Sequence, residues 1–335
     1  MPVRALSDRR VLAGAFGLLL VVAPLFSSNQ YLIRLLVMSG INILLAMGLN
    51  LISGVTGQLS MGHAAFYGLG AYTSALLMLR LSVPFWFSAL AAALVAGVFG
   101  VLLGIPTLRL RGDYLAITTV GLGEIVHLIF LNWDSVTNGP LGLPGIPAPS
   151  LMRVQLGSNL AYYYLVLVVD VLVAGSLFRL GRSRVGRALI AIRDDELTAE
   201  TMGIDTTRLK VTAFAFSAVL AGVAGALFAS YMSFISPENF TYSESVTMLL
   251  MVVLGGMGSY WGAIAGAGIL TIAPEALRVL SEWRMVVYGV ALVVLMIVRP
   301  QGLFGSGFTE KKPAKKIKGK ASESAGLKAP VGGGD

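Results

Sequence analysis

The residues between Gly48 and Gly70 carry the strongest functional signal in this sequence. The segment reads GLNLISGVTGQLSMGHAAFYGLG and contains six glycines within a hydrocarbon-like stretch. A lipid-facing helix does not easily hold so many helix-weakening and polar residues. Such backbone is tolerated at membrane depth where protein or a water-filled cavity surrounds it. The segment therefore predicts a broken or closely packed helix pair beside a pathway, whose lining or gate we assign to Gly54, Gly57, Gln58, Ser60, Gly62 and His63.

Two ionisable residues, Glu124 and His127, lie three apart in another hydrophobic block and would share one helical face. An ionisable residue inside a membrane span is a candidate functional site, so both join the pathway candidates. Two alternatives stay open. The carboxylate and imidazole could satisfy each other as a structural pair, or they could form part of a proton relay, which would need a longer chain of such groups.

The sequence lacks the common motifs of nucleotide-binding, metal-dependent and nucleophilic enzymes. It has no phosphate-binding GxxxxGK[ST] motif, and the only lysine before residue 311 is Lys210. It has no HExxH motif, no nucleophile elbow, two histidines and no cysteine. We therefore predict a protein that is not an enzyme, with no catalytic residue, no metal site and no cofactor of its own.

Composition indicates an all-α polytopic membrane protein. The 335 residues are 56% hydrophobic and 13% charged, with a mean hydropathy of +0.80. The hydrophobic residues form blocks close to the ~20 residues that cross a bilayer. About ten spans are predicted: Val11–Phe26, Leu32–Ile52, Met61–Leu79, Phe85–Leu108, Tyr114–Leu131, Leu160–Leu180, Val211–Met232, Ser245–Met257, Trp261–Leu280 and Met285–Val298.

Two glycine-rich regions interrupt these blocks, one in each half of the chain. Gly48–Gly70 joins the second and third blocks, and Gly255–Gly268 covers the junction of the eighth and ninth. Either junction could be a re-entrant hairpin or a pair of short helices. Their positions in the two halves suggest an internal repeat around a pathway.

The basic residues predict that both termini are cytoplasmic. This orientation places 20 of the 25 lysines and arginines inside, as the positive-inside rule requires. The predicted organisation is a cytoplasmic N-terminus (1–10), a membrane domain (11–300) with a cytoplasmic loop at 181–210, and a disordered basic tail (301–335). The tail could touch anionic membrane lipid. The charge distribution gives no indication of a nucleic-acid partner.

The loop between the sixth and seventh blocks predicts a docking surface for another protein. From Gly186 to Met202 it has the pattern of one amphipathic helix, and Gly203 stands where a helix often ends. A helix lying on the membrane surface is the alternative, but the acidic RDDE centre disfavours an anionic surface. The candidate docking residues in this loop are Arg193, Asp194, Asp195, Glu196, Ala199, Glu200 and Gly203.

These motifs together resemble a known family. AIRDDELTAETMGID is similar to the EAA-like docking segment of ABC importer permeases, and this resemblance implies that the candidate docking residues couple the chain to an ATPase. LNLISGVTGQLSMGHAAFYGLGAYTSALL, TLRLRGDYLAITTVGLGEIVHLIFLNWDSVTNGPLGLPGI and LLMVVLGGMGSYWGAIAGAGIL resemble, in that order, the M-type permease of branched-chain amino acid ABC transporters. The resemblance runs from about residue 30 to 305.

The resemblance implies a non-catalytic subunit of an importer in the cytoplasmic membrane of a prokaryote. Its expected partners are a homologous H-type permease, two ABC ATPase subunits that hold ATP and Mg²⁺, and an extracytoplasmic amino-acid-binding protein. Three other readings stay open: a related ABC permease for a sugar, urea or a short amide, an ion-coupled secondary carrier, and a membrane scaffold or assembly protein.

Overall fold

A computed structural model describes residues 29–107, 112–151 and 154–276, with four short stretches at 289–290, 293–294, 297–299 and 302–304. The predicted first span, Val11–Phe26, lies outside the described residues. So do the N-terminal residues 1–10, most of the predicted tenth span and nearly all of the predicted tail.

The described residues form an all-α protein, as predicted. In chain order the helices are α1 (Gln30–Leu49), α2 (His63–Leu81), α3 (Phe85–Thr107), α4 (Asp113–Asn132), α5 (Asp134–Thr137), α6 (Asn159–Arg182), α7 (Arg184–Asp194), α8 (Glu196–Thr201), α9 (Thr206–Met232), α10 (Tyr242–Gly255) and α11 (Tyr260–Ala276). A π-helical segment, Asn50–Val55, continues α1, and 3₁₀ turns occupy Gly139–Leu141 and Pro237–Phe240.

Among the described residues, five helical segments are long and apolar enough to cross a membrane. They are Gln30–Val55, Phe85–Ile105, Asp113–Asn132, Asn159–Arg182 and Thr206–Met232. All five coincide with predicted spans. The total of about ten spans and the inward orientation of both termini stay predictions.

Helix α9 lies at the centre of the protein, packed closely against α2 and α3. A Cβ on Gly70 would lie 2.4 Å from the Gly222 Cα atom, and one on Gly225 would lie 2.2 Å from the Tyr67 carbonyl oxygen. A Cβ on Gly222 would reach within 2.7 Å of the Ala92 carbonyl oxygen. These three glycines let the helix backbones touch, as small residues do between membrane helices. We call Gly70, Gly222 and Gly225 the helix crossing.

Helices α10 and α11 are joined by the turn at residues 256–259 and pack together. Helix α10 has 14 residues, so at 1.5 Å per residue it spans about 21 Å, less than a ~30 Å hydrocarbon core. The backbones of the two helices touch, since a Cβ on Gly266 would lie 2.0 Å from the Met251 carbonyl oxygen. The second glycine-rich region therefore joins two closely packed helices, and the choice between a re-entrant hairpin and a pair of short helices stays a prediction.

The loop between α4 and α6 is folded into turns and short strands. β1 (Leu143–Pro144) pairs antiparallel with β4 (Phe234–Ile235), and β2 (Ser150–Leu151) pairs with β3 (Val154–Gln155). Arg80 donates to the carbonyl oxygens of Ser135 and Val136 and so ties the end of α2 to this loop.

Candidate functional site

The predicted break between the second and third hydrophobic blocks is present. After α1, the chain makes the π-helical segment Asn50–Val55, continues without helix to Gly62 and enters α2 at His63. Its polar side chains face the protein interior: Asn50, Ser53, Thr56, Gln58, Ser60 and His63 are all buried. This irregular backbone is thus enclosed by protein, which is the condition under which a membrane interior tolerates it.

Hydrogen bonds tie the break to three other elements. The Met61 amide donates to Thr119 Oγ1 of α4 at 3.0 Å, and the Ala64 amide donates to Ser245 Oγ of α10 at 2.9 Å. The Gly258 amide, in the turn between α10 and α11, donates to Asn50 Oδ1 at 2.8 Å. The two glycine-rich regions therefore meet, which brings together the parts of the chain that the sequence suggested were related.

Several buried polar atoms of the break lack partners within the described part of the chain. They are Gln58 Oε1, Ser60 Oγ and both ring nitrogens of His63, a residue with no exposed surface. Buried polar groups in folded proteins are normally paired with protein or ordered water. The break therefore has capacity for hydrogen bonds that the surrounding helices do not use.

The glycines of the break differ in what they contact. A Cβ on Gly54 would lie 2.3 Å from the Gly258 nitrogen, and one on Gly62 would lie 2.1 Å from the Thr119 carbonyl oxygen. Gly57 is exposed and has a φ of +72°, in the left-handed region that favours glycine. Gly54 and Gly62 thus permit close packing of the backbone, whereas Gly57 permits a left-handed backbone conformation.

The idea that Glu124 and His127 satisfy each other is wrong. Both lie on α4, but no hydrogen bond or ion pair joins them among the described residues, and His127 Nδ1 is buried without a partner there. Glu124 is exposed at a cleft that Met61, Tyr242 and Ser245 also line. A spacing of three places two side chains on neighbouring positions of a helix, but here only one of them turns outward.

The predicted single helix from Gly186 to Met202 is two helices, α7 and α8. Asp195 interrupts it with an extended backbone (φ −159°, ψ 106°), and its carboxylate accepts the Thr198 amide at 3.0 Å. This N-cap hydrogen bond lowers the pKa of Asp195, so the carboxylate is ionised at neutral pH. Gly203, at φ +83°, follows the end of α8 as predicted.

The residues assigned to coupling divide into an inward and an outward group. Ala199 is buried, Glu196 forms an ion pair with the buried Lys210, and the Arg193 side chain is only 24% exposed. The outward-facing members are Asp194, Asp195, Glu200 and Gly203.

Three further residues around α8 were not assigned to coupling from the sequence. Leu197 is 60% exposed and Met202 78% exposed, so α8 presents apolar surface beside the acidic Glu200. Lys210 was noted only as an isolated lysine, although its isolation in a hydrophobic chain was itself a signal of a specific partner. We call Leu197, Glu200 and Met202 the docking surface.

Comparison with known proteins identifies the family. Residues 31–297 match the family described as the permease component of the branched-chain amino acid transport system. The chain belongs to this family. The predicted resemblance is therefore confirmed over most of the sequence.

Individual relatives carry M-type and H-type names. The chain is 41% identical to the high-affinity branched-chain amino acid transport system permease protein LivM of Salmonella typhimurium and 42% identical to that of Escherichia coli; both alignments cover 85% of this chain and 73% of the relative. It is 28% identical to LivH of Salmonella typhimurium, over 80% of this chain and 92% of LivH. No solved structure matches the chain.

Proposed function

We propose that this chain is the M-type permease subunit of an ATP-driven importer of branched-chain amino acids in the cytoplasmic membrane of a prokaryote. The observation that carries the proposal is the 41–42% identity to two LivM permeases over 85% of the chain. The apolar helices agree with a multi-pass membrane component. In this role the chain is a non-catalytic part of the importer, and ATP and Mg²⁺ are bound by separate ATPase subunits.

The docking surface is the proposed contact with an ATPase subunit. Leu197 and Met202 offer exposed apolar side chains, and Glu200 adds a charge between them. Exposed apolar groups beside a charge suit insertion into a groove of a partner, with the charge setting orientation. In this proposal residues 181–210 are cytoplasmic, which agrees with the ten-span, N-in and C-in arrangement and with a cytoplasmic tail at 301–335.

The break between α1 and α2 and the cleft at Glu124 are the proposed solute pathway. The break supplies buried polar groups with unused hydrogen-bonding capacity, and the cleft opens where the break meets α4 and α10. The exposed apolar face of α4, which includes Ile117, Ile125 and Ile129, supports a contact with the H-type permease or with membrane lipid.

The loop between α4 and α6 is the proposed landing site for the extracytoplasmic amino-acid-binding protein. The pairing of β1 with β4 and the hydrogen bonds from Arg80 fix its described residues at the start of α6 and the end of α9, the helix ends opposite those that adjoin α7 and α8. An ordered surface recognises a protein partner with less loss of conformational entropy than a mobile loop does.

The test is uptake by the reconstituted complex. Proteoliposomes containing this chain, the H-type permease and two ATPase subunits receive the binding protein loaded with labelled leucine, isoleucine or valine. The proposal requires uptake that depends on ATP and on every subunit. Uptake of ribose, urea or a short amide in place of these amino acids would favour a related ABC permease, a possibility that the 28% identity to an autoinducer 2 permease, LsrC of Escherichia coli, raises less strongly.

A further inference from the structure

Arg193 connects the docking segment to the broken helix inside the membrane domain. It lies in the last turn of α7, and its Nη1 atom donates to the Gly54 carbonyl oxygen at 2.8 Å. Gly54 belongs to the π-helical segment that ends α1, and a carbonyl at the end of a helix lacks an N–H partner within that helix. The arginine therefore supplies a donor from a different part of the chain.

The side chain fits because both glycine-rich regions leave room for it. A Cβ on Gly57 would lie 2.8 Å from Arg193 Cγ, and a Cβ on Gly258 would lie 2.7 Å from Arg193 Nη1. Gly258 has a φ of +85°, which an L-residue adopts only under strain. Both the backbone conformation at position 258 and the nearby guanidinium of Arg193 therefore favour glycine there.

Three segments consequently meet at one place. The Gly258 amide is bonded to Asn50 Oδ1, so the end of α1 and the turn between α10 and α11 are already joined. Arg193 adds α7 to that contact. We call Asn50, Gly54, Gly57, Gly258 and Arg193 the glycine junction.

Arg193 is close in sequence to the docking surface, but its side chain points into the protein whereas the docking surface is exposed. Two residues, Asp194 and Asp195, separate Arg193 from α8. The ion pair between Glu196 and the buried Lys210 fixes the start of α8 to α9. Two side-chain contacts can therefore carry a displacement of α8 into the membrane domain. Lys210 connects α8 to α9, and Arg193 connects the adjoining α7 to the π-helical end of α1.

We propose that Arg193 is a positioning residue that transmits movement of α7 and α8 to the break between α1 and α2 and to the turn between α10 and α11. In this proposal Arg193 does not contact the ATPase. The inference rests on the proposed function and specifies how the coupling segment acts. Arginine suits this task because its long side chain ends in a planar group with several fixed donors, which can hold a carbonyl oxygen while the backbone around it changes conformation.

The experiment uses the complete reconstituted complex with Arg193→Met, Arg193→Lys and the control Arg187→Met. Arg187 lies on the same helix, is exposed and bonds the Arg182 carbonyl oxygen. Four quantities are measured for each variant: recovery of ATPase subunits on purification, basal ATP hydrolysis, hydrolysis stimulated by loaded binding protein, and leucine uptake per ATP hydrolysed.

Arg193→Met is expected to retain the ATPase subunits and basal hydrolysis but to lower uptake per ATP at least tenfold. Arg193→Lys, which keeps a donor able to reach a carbonyl oxygen, should recover part of the loss, and Arg187→Met should behave as wild type. The partial rescue separates a positioning role from a merely structural one.

Three results would overturn the inference. Normal uptake per ATP in Arg193→Met would show that the contact transmits nothing. Loss of ATPase subunits from that variant would make Arg193 a docking residue. Equal impairment of Arg193→Met and Arg193→Lys, with lower thermal stability in both, would assign it to packing. Absence of ATP-driven uptake in the wild-type complex would instead refute the proposed function, and the inference with it.

Discussion

The helix crossing and the glycine junction use the same residue type for different purposes. At the crossing, Gly70, Gly222 and Gly225 have ordinary helical backbones and meet other backbone atoms at 2.2–2.7 Å. At the junction, Gly54 also packs on backbone, that of Gly258, but Gly57 and Gly258 have positive φ values and meet a flexible arginine side chain.

The difference indicates which part of the molecule is built to stay fixed. Where backbone packs on backbone, no flexible side chain can adjust to a displacement, and close-packed interiors transmit strain. A guanidinium between two non-helical turns can shift its donors with small rotations of its side chain. We therefore expect the crossing to form a rigid frame around α9 and the junction to change during transport.

The largest effect is expected at the crossing. Gly225→Leu would place a side chain into the Tyr67 carbonyl oxygen and the Ala71 nitrogen, and overpacking of this kind costs roughly 1–3 kcal/mol or more. We expect little folded protein in detergent, measured by size-exclusion chromatography. Gly225→Ala and Gly104→Ala form the matched pair, because the added Cβ would lie 2.2 Å from a backbone oxygen at Gly225 but 3.6–3.8 Å from its neighbours at Gly104, and Gly104→Ala should purify normally. A well-folded Gly225→Leu protein would contradict the rigid-frame account.

At the glycine junction, we expect a substitution to lower transport without preventing folding. Gly57→Leu adds bulk where the backbone is exposed and strained for an L-residue, at a cost of about 1–3 kcal/mol. We expect assembly with the other subunits but a severalfold lower rate of ATP-driven leucine uptake. Gly62→Leu is a poorer test of a gate, because its side chain would strike the Thr119 carbonyl oxygen and disturb packing as well. Unchanged uptake in Gly57→Leu would remove this glycine from the pathway.

A smaller effect is expected at the docking surface. Glu200→Lys reverses an exposed charge on α8, and a loss of about 1.4 kcal/mol would weaken binding of the ATPase roughly tenfold. Surface plasmon resonance with the purified ATPase measures this directly. Glu238→Lys, the same change at an exposed position after β4, serves as the control. Equal affinities for both variants would move the contact away from α8.

The smallest effect is expected at the acid and imidazole of α4. The double variant Glu124→Gln and His127→Gln should leave ATP-driven uptake largely intact and nearly independent of pH around the titration range of histidine. These residues do not bond each other within the described chain, so they form no visible relay. Abolished uptake, together with proton-gradient-driven uptake by the wild-type chain alone, would instead support an ion-coupled carrier.

Sequence patterns predicted the broad architecture because hydrophobic length and glycine content are visible in the chain. The five long apolar helices and the break after Asn50 follow from those patterns. The division of the docking helix at Asp195 does not, because an aspartate fits the polar face of a helix as well as it caps a new one. Only the structure distinguishes the two uses.

Side-chain direction was the second feature that the sequence could not supply. Arg193 belongs to the same charged run as Asp194 and Asp195, yet it turns inward to Gly54 while they are exposed. The bond joins residues 139 positions apart, so no local spacing rule indicates it. The same holds for the pairing of Asn50 with Gly258, which required the two glycine-rich regions to meet in space.

The most direct test of the contrast between junction and crossing is a pair of distance measurements by electron paramagnetic resonance. The chain contains no cysteine, so spin labels can be placed without removing native residues. One pair, Arg184→Cys with Met257→Cys, spans the junction from α7 to the turn before α11. The other, Val98→Cys with Phe216→Cys, spans the crossing from α3 to α9; all four positions are exposed. In the reconstituted complex, ATP trapping should shift the junction distance and leave the crossing distance unchanged, whereas an unchanged junction distance in a complex that still transports leucine would contradict the account.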